Sequence, residues 1–413
     1  MNILTIISAI VIFLLITWGV VALLLFCRKK WVPEGKVKIS INGDKTVEHE
    51  RGCTLLQALA DEQIWMPSAC GGSGTCGACK GKVLSGGGTL LPTEQAHINR
   101  SMENENYRLF CQVKVREDLE IEIPKEVLGV RKYNCKVLSN RNISTFIKEL
   151  VLQMPEGVNL DFRSGSYVQI DIPEYKLEYS DFQIDDEYRQ DWEKMGAFDL
   201  KSKNSEATVR AYSMANAPAE NDRVMLNVRI ALPPYDRKKQ RFAKVAPGVS
   251  SSYLFSLKAG DEVTVSGPYG DFFVEESDSE MMFIGGGAGM APMRSHIVDQ
   301  FVTHHTARTT TFWYGGRSRK ELFYLDDFQR LEKENPNFKF TVALSEPLPE
   351  DEWTGDVGFI HQVIYDNYLK NHKYPERIEY YICGPPLMLK AVLKMLDDLG
   401  VQATNIHYDD FGG

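Results

Sequence analysis

The segment Cys70-Gly-Gly-Ser-Gly-Thr-Cys76-Gly-Ala-Cys79 constrains this chain most, because three thiols and four glycines in ten residues leave little room for regular helix or strand. A fourth thiol follows in Leu109-Phe110-Cys111-Gln112. Eight cysteines in 413 residues are too few for a disulfide-stapled secreted scaffold, and the crowding of three of them points to metal ligation in a reducing compartment. Four thiolates suit two irons, and the glycines let backbone amides turn inward toward bridging sulfides where side chains would obstruct them. Zinc is the alternative, but zinc knuckles usually bring paired C-x₂-C hooks, and here there is one hook and a glycine-rich loop. Cys27, Cys53 and Cys135 stand apart and read as small buried hydrophobes.

The rest of the chain is ordinary globular protein, 43% hydrophobic and 25% charged, which excludes a disordered, collagenous or wholly membrane-embedded molecule. A formal charge of −9 argues against a nucleic-acid partner, since phosphate backbones demand a dense basic surface. From Ile3 to Phe26 no charge interrupts the chain. At ~1.5 Å per helical residue this run spans a ~30 Å hydrocarbon core, so it is expected to be a transmembrane helix. Only Met1 and Asn2 precede it, which disfavours a signal peptide. Arg28, Lys29 and Lys30 close the run, and the positive-inside rule places the N-terminus outside and all that follows in the cytoplasm. No ionisable residue lies between Ile3 and Phe26, so this helix offers no ion path.

Four regions are expected: residues 1–35 as helix and linker, 36–130, 131–275 and 276–413. The second opens with strands Val37–Ile41 and Thr46–His49 across Asn42-Gly43, a hairpin signal, then an amphipathic helix from Thr54 to Ile64. The third carries short β-type runs (Tyr167–Ile172, Val209–Ser213, Val224–Ile230, Glu262–Ser266) at the spacing of a small antiparallel barrel. Within it, residues 174–204 are rich in Asp, Glu, Tyr and Lys without a period and read as a surface insertion. After Glu280, apolar strands (Met281–Ile284, Thr309–Tyr314, Phe338–Leu344, Ile378–Ile382) alternate with helical stretches, as in a parallel α/β sheet.

Three further motifs carry chemistry. Arg210-Ala211-Tyr212-Ser213 ends a barrel strand, and alternation sends Arg210 and Tyr212 to one face and Ser213 to the other. Arg can neutralise a pyrophosphate, Tyr can lie along an isoalloxazine, and a Ser hydroxyl can meet flavin N5. Gly248-Val249-Ser250-Ser251 looks like a phosphate loop opening a helix. Gly285-Gly286-Gly287-Ala288-Gly289-Met290-Ala291-Pro292 follows a strand and precedes a helix, where small residues admit a dinucleotide phosphate, although it lacks the third glycine of the Rossmann fingerprint. Cys383-Gly384-Pro385-Pro386-Leu387-Met388 repeats the strand-to-helix arrangement at the ligand-binding edge of the sheet.

The cysteine segment resembles ferredoxin domains that bind a [2Fe–2S] cluster, except that five residues separate Cys70 from Cys76 where the plant-type pattern has four. The other motifs resemble the ferredoxin-NADP reductase family. That resemblance implies that Arg210, Tyr212, Ser213 and Gly248 to Ser251 bind FAD. It also implies that Gly285, Gly286, Gly287, Gly289, Met290, Ala291, Pro292, Gly384, Pro385 and Met388 bind the nicotinamide nucleotide. Cys383 would lie beside the nicotinamide, and Phe411 would cover the flavin until nicotinamide displaces it.

An N-terminal helix, an α+β ferredoxin-like domain, an antiparallel β-barrel FAD domain and an α/β nicotinamide domain, in that order, resemble the family of F subunits of bacterial sodium-translocating NADH:quinone oxidoreductases. The resemblance implies an inner-membrane respiratory complex with other membrane subunits as partners, Cys70, Cys76, Cys79 and Cys111 as cluster ligands, and Ser213, Cys383 and Phe411 framing hydride transfer from NADH. Quinone reduction and sodium movement are implied for the complex. Two other readings are the reductase component of a bacterial oxygenase, against which the anchor argues, and a membrane-tethered iron–sulfur carrier without turnover, for which the flavin and nicotinamide motifs would be superfluous. Arg317, Arg319 and Lys320 could meet a 2′-phosphate, yet Glu321 follows at once and the resemblance implies NADH.

Overall fold

The computed structural model describes residues 3–31, 35–236 and 238–410. The uncharged run folds as α1 (Ile3–Trp31), and its side chains from Ile7 to Leu24 are exposed rather than packed in a core. A helix apolar on every face must bury that surface in protein or lipid, and among the described residues none covers Ile7 to Leu24.

By internal contacts the chain divides into two units, Met1–Pro67 with Gly72–Gly129, and Ser68–Gly71 with Val130–Gly413. The first holds β1 (Lys36–Ile41) and β2 (Lys45–Glu50), an antiparallel hairpin. Its turn places Asn42 and Gly43 at φ 53° and 75°, the left-handed region these residues tolerate. Thr54 caps α2 (Leu55–Asp61) by accepting a hydrogen bond from Gln57 N. The helix stops at Asp61, short of the expected Ile64, and Gln63 turns back at φ 60°. With β3 (Lys80–Ser85), β4 (Tyr107–Leu109) and β5 (Leu119–Glu122), the mixed sheet runs β2-β1-β5-β3-β4. Val37, Ile39 and Ile41 alternate inward onto Leu55 and Leu59.

The second unit begins with β6 (Arg131–Ser144), β7 (Ile147–Gln153) and β8 (Tyr167–Ile172). After β9 (Tyr175–Glu178), α3 (Asp186–Met195) and β10 (Lys201–Asn204) come β11 (Thr208–Ser213) and β12 (Arg223–Arg229). A short hairpin of β13 (Tyr235–Asp236) and β14 (Arg241–Phe242), helix α4 (Val249–Ser256) and β15 (Glu262–Tyr269) complete its first, β-rich part. The sheet order is β11-β8-β15-β6-β7-β12, with antiparallel neighbours, and a bridge between Met214 and Leu226 joins its two ends into a barrel.

Residues 174–204 depart from the surface-insertion reading. Tyr179, Phe182, Trp192 and Ala197 are buried in the barrel core, and Trp192 Nε1 donates to Thr145 O at 2.7 Å. The charges misled because in α3 only Tyr188 and Trp192 face inward, while the Asp, Glu, Arg and Lys between them coat the outer side.

The last part is a parallel sheet of β16 (Met281–Gly286), β17 (Thr310–Gly316), β18 (Phe338–Leu344), β19 (Asp356–Val357), β20 (Glu379–Cys383) and β21 (Ile406–Asp409). Its order is β19-β18-β17-β16-β20-β21. Helices α5 (Met290–Val298) and α6 (Leu325–Glu334) pack on one face, through Met293, Ile297, Phe328 and Leu331. On the other face lie α7 (Ile360–Asn367) and α8 (Pro386–Asp398), through Ile360, Val363, Leu389 and Val392. The central strands are therefore apolar on both faces and lack an alternating pattern.

Candidate functional site

In the first unit the cysteine loop is shaped by glycines with positive φ. At Gly74 and Gly77, φ is 83° and 68°, and an added Cβ would stand 2.7 Å from Gln112 Nε2 and from His97 Nδ1, respectively. The thiols of Cys79 and Cys111 are buried and hydrogen-bonded to each other. That contact, with burial and the nearby Cys76, pushes the Cys79 thiol far above its ordinary range. Without a cation these neighbouring buried sulfurs stay protonated, and as thiolates they would need positive charge between them, which fits the donor set of an iron–sulfur site. Cys76 Sγ accepts from Ala78 N and Cys111 Sγ from Gln112 Nε2, both at 3.4 Å. Cys70 is half-buried in the Ser68–Gly71 segment. Among the described residues, no three His, Cys, Asp or Glu side chains converge as a single-ion site would need.

The strand leading to Cys111 is fixed by a pair that sequence reasoning missed. Arg108 Nε and Nη2 donate to Glu94 Oε1 and Oε2 at 2.9 and 2.8 Å, and both side chains are buried. Burial works to raise the Glu94 carboxyl, yet Arg108 and the N–H groups of Leu91 and Leu109 outweigh it and hold the group below the usual range. Neither residue belongs to a motif, and their separation of 14 in sequence hides the pairing. Of the separate cysteines, Cys135 is fully buried beside Met154. Cys53 is only half-buried, with Sγ 3.4 Å from His49 Nδ1, and the side chain of Cys27 lies outside the described residues.

In the second unit Arg210 folds along its own strand, its Nη1 donating to Thr208 Oγ1 at 2.8 Å and Val209 O at 2.7 Å. Tyr212 packs against the barrel core, and burial raises its phenol. Gly248 begins α4 without a side-chain cap, and an added Cβ there would meet Ala231 Cβ at 2.6 Å. Val249, Ser250 and Ser251 form the first turn, where helical N–H groups find no intrahelical acceptor. Such an end suits a phosphate.

The two nicotinamide motifs meet directly. A Cβ on Gly289 would fall 2.2 Å from Cys383 O and 2.6 Å from Gly384 N, and one on Gly286 would approach Met388 Sδ at 3.0 Å and Pro385 Cδ at 3.5 Å. Gly285 lies against Met293 and Phe312, and Gly287 takes φ 55°. Met290, Ala291 and Pro292 are buried beneath the loop. Cys383 is fully buried and, in the sheet register, pairs with Asp409. From the barrel, Ser213 Oγ donates to Asp409 Oδ2 at 2.9 Å. Ser213 and Cys383 thus converge on Asp409, a residue the sequence reading passed over, its sole signal being a place two residues before Phe411. Phe411 itself lies outside the described residues. Burial, with Asp271 and Asp410 nearby, pushes the Asp409 carboxyl up to about 6.

Of the basic side chains after β17, those of Arg317 and Lys320 are engaged by carboxylates, whereas the Arg319 guanidinium donates to Asp351 O at 3.5 Å. Arg317 pairs with Glu321 at 2.5 Å, Lys320 with Asp191 at 3.3 Å, and Arg319 N donates to Asp351 Oδ2 at 3.1 Å.

Family models match three parts of the chain: a 2Fe-2S iron-sulfur cluster binding domain over residues 39–116, an oxidoreductase FAD-binding domain over 194–274, and an oxidoreductase NAD-binding domain over 283–394. Among solved structures, an Amycolatopsis cytochrome P450 reductase has a TM-score of 0.63 at 24% identity, covering 91% of this chain and 98% of that one. A ferredoxin reductase in carbazole 1,9a-dioxygenase has a TM-score of 0.59 at 22% identity over 92% and 99%. These likenesses establish the fold. The F subunit of the Na(+)-translocating NADH-quinone reductase of Methylococcus capsulatus is 52% identical over 410 residues, 99% of this chain and 100% of that protein. Its counterpart in Haemophilus influenzae is 54% identical over 403 residues, 97% of each. With identity of this order along almost its whole length, and with cluster, flavin and nicotinamide domains in succession, the chain belongs to the family of Na(+)-translocating NADH-quinone reductase F subunits.

Proposed function

We propose that this chain is the electron-input subunit of a membrane respiratory complex: it oxidises NADH and delivers the electrons one at a time toward quinone, through other subunits that move sodium. The observation that carries the reading is the convergence of Ser213, from the flavin-type barrel, and Cys383, from the nicotinamide-type sheet, on Asp409. The chemistry supplied by the bound groups is hydride acceptance at FAD and one-electron storage at a [2Fe–2S] cluster.

The chain's own residues divide the work. Arg210 and the first turn of α4, from Gly248 to Ser251, hold the flavin pyrophosphate, the first by charge and the second by open N–H groups. Tyr212 would flank the flavin ring, and Ser213, whose hydroxyl donates to Asp409 Oδ2, would offer that hydroxyl to the flavin edge. Gly285, Gly286, Gly287 and Gly289, with Gly384, Pro385 and Met388, bring backbone close to the nucleotide phosphates over the buried support of Met290, Ala291 and Pro292. Phe411, which lies outside the described residues, would cover the flavin until nicotinamide arrives. Cys70, Cys76, Cys79 and Cys111 would hold the cluster through their thiolates. Helix α1 anchors the chain as a single pass in the bacterial inner membrane, N-terminus outside, with Arg28, Lys29 and Lys30 on the cytoplasmic side.

An air-free spectrum of the full chain tests this. Flavin bands should bleach on adding NADH, and bleaching by neither NADH nor NADPH would reduce the chain to a carrier.

A further inference from the structure

A helix that presents N–H groups to a ligand needs its own position fixed from elsewhere. The C-terminal end of α4 is held by the barrel: Asn140 Nδ2 donates to Leu254 O and Leu257 O, each at 2.8 Å, and Lys148 Nζ to Phe255 O at 3.2 Å. Its first turn is held by residues 174–204. Tyr175 OH donates to Val249 O at 2.5 Å and accepts from Ser202 Oγ at 2.9 Å, while its ring stacks on Tyr253 with centroids 6.0 Å apart. Tyr179 OH and Ser252 Oγ are 2.8 Å apart, and Ser252 Oγ donates on to Gly248 O at 2.6 Å. The two tyrosines thus reach the opening residue, Val249, directly and the cap, Gly248, through Ser252. Tyr179 is fully buried, so its ring is fixed by the core.

The same segment reaches two other parts of the candidate site. Tyr175 and Tyr212 both pack against the barrel core, and Asp191 on α3 pairs with Lys320 in the loop after β17. Trp192, one residue from Asp191, is seated by its bond to Thr145 O.

We infer that residues 174–204 are a flavin-positioning clamp, in which Tyr175 and Tyr179 hold the first turn of α4 so that the FAD pyrophosphate meets a preorganised helix end. Both act through α4 and are positioning residues rather than ligands. The inference rests on the reading of α4 as the pyrophosphate site, and its test separates the two.

The full chain is stripped of flavin and titrated with FAD, with the visible circular dichroism of the bound flavin as a second readout. Tyr175→Phe and Tyr179→Phe keep the rings and remove the hydroxyls. Together they should weaken FAD binding by about 10-fold, the scale of one to two lost hydrogen bonds, and alter the flavin dichroism, with iron content unchanged. Wild-type FAD affinity in the double variant overturns the clamp, and so does a lowered thermal midpoint without any change in affinity or dichroism. Gly248→Ala and the milder Ser251→Ala examine α4 itself. If both bind FAD as the wild type does, the pyrophosphate assignment fails. If they lose FAD while the tyrosine variants keep it, the assignment stands and the clamp alone is wrong.

Discussion

Ser213 Oγ donates to Asp409 Oδ2 at 2.9 Å, joining the last residue of β11 to the last residue of β21. A buried carboxyl at this junction is costly when charged, and burial lifts it from the usual 3.8 to about 6 despite the hydroxyl that favours its charged form. The folded chain therefore holds this proton more tightly than the unfolded one. The stability that follows is present below about pH 4 and is lost as pH rises through about 6. Asp409→Asn should abolish that dependence. Between pH 5 and 7 the wild type should lose on the order of 1–2 kcal/mol relative to the variant in denaturant unfolding. Parallel pH curves for the two proteins would contradict it.

The Glu94–Arg108 pair supports the strand that carries Cys111. Arg108→Met leaves the Glu94 carboxylate buried without its counter-ion, which should cost about 3–5 kcal/mol. Iron should be lost from the variant well before flavin as temperature rises. Equal thermal loss of iron in wild type and variant would show the pair to be unimportant for the cluster domain.

Gly289 is the closest approach between the two nicotinamide motifs. In Gly289→Ala the new Cβ faces the backbone of Cys383 and Gly384, which cannot swing aside as a side-chain tip can. NADH oxidation should fall about 10-fold or more in kcat/KM, while FAD and iron contents remain normal. Unchanged kinetics would show that this close approach does not shape the nucleotide site.

Much of this architecture is legible along the chain. Tyr167–Ile172 and Phe338–Leu344 form strands with the limits that alternation and apolar runs suggest, because each segment carries its own period. The glycine motifs are equally readable, since they sit at strand ends where the backbone must come close. What escapes is whatever depends on distant partners. Trp192 looks like one aromatic in an acidic stretch until Thr145 and Phe255 surround it. Asp409 looks like part of an acidic tail until the barrel brings Ser213 to it. Glu94 and Arg108 are ordinary charges until the fold removes water from both.

Nucleotide choice turns on Arg317. Its guanidinium is engaged by Glu321, whose carboxylate would also repel a 2′-phosphate, so NADH should be preferred. Glu321→Gln frees the arginine and removes the repulsion. The ratio of kcat/KM for NADPH to that for NADH should rise roughly 3- to 10-fold. A wild type that already favours NADPH would refute the preference.

Single-turnover reduction of the full chain by one equivalent of NADH measures the order of electron flow directly. Flavin absorbance is followed by stopped flow, and the reduced cluster by electron paramagnetic resonance on freeze-quenched samples. The wild type should bleach its flavin first and then develop the cluster signal, whereas Cys111→Ser should bleach its flavin at the wild-type rate with the cluster signal lost or altered. A cluster signal that precedes flavin bleaching, or an undiminished and unaltered signal in Cys111→Ser, would contradict that order.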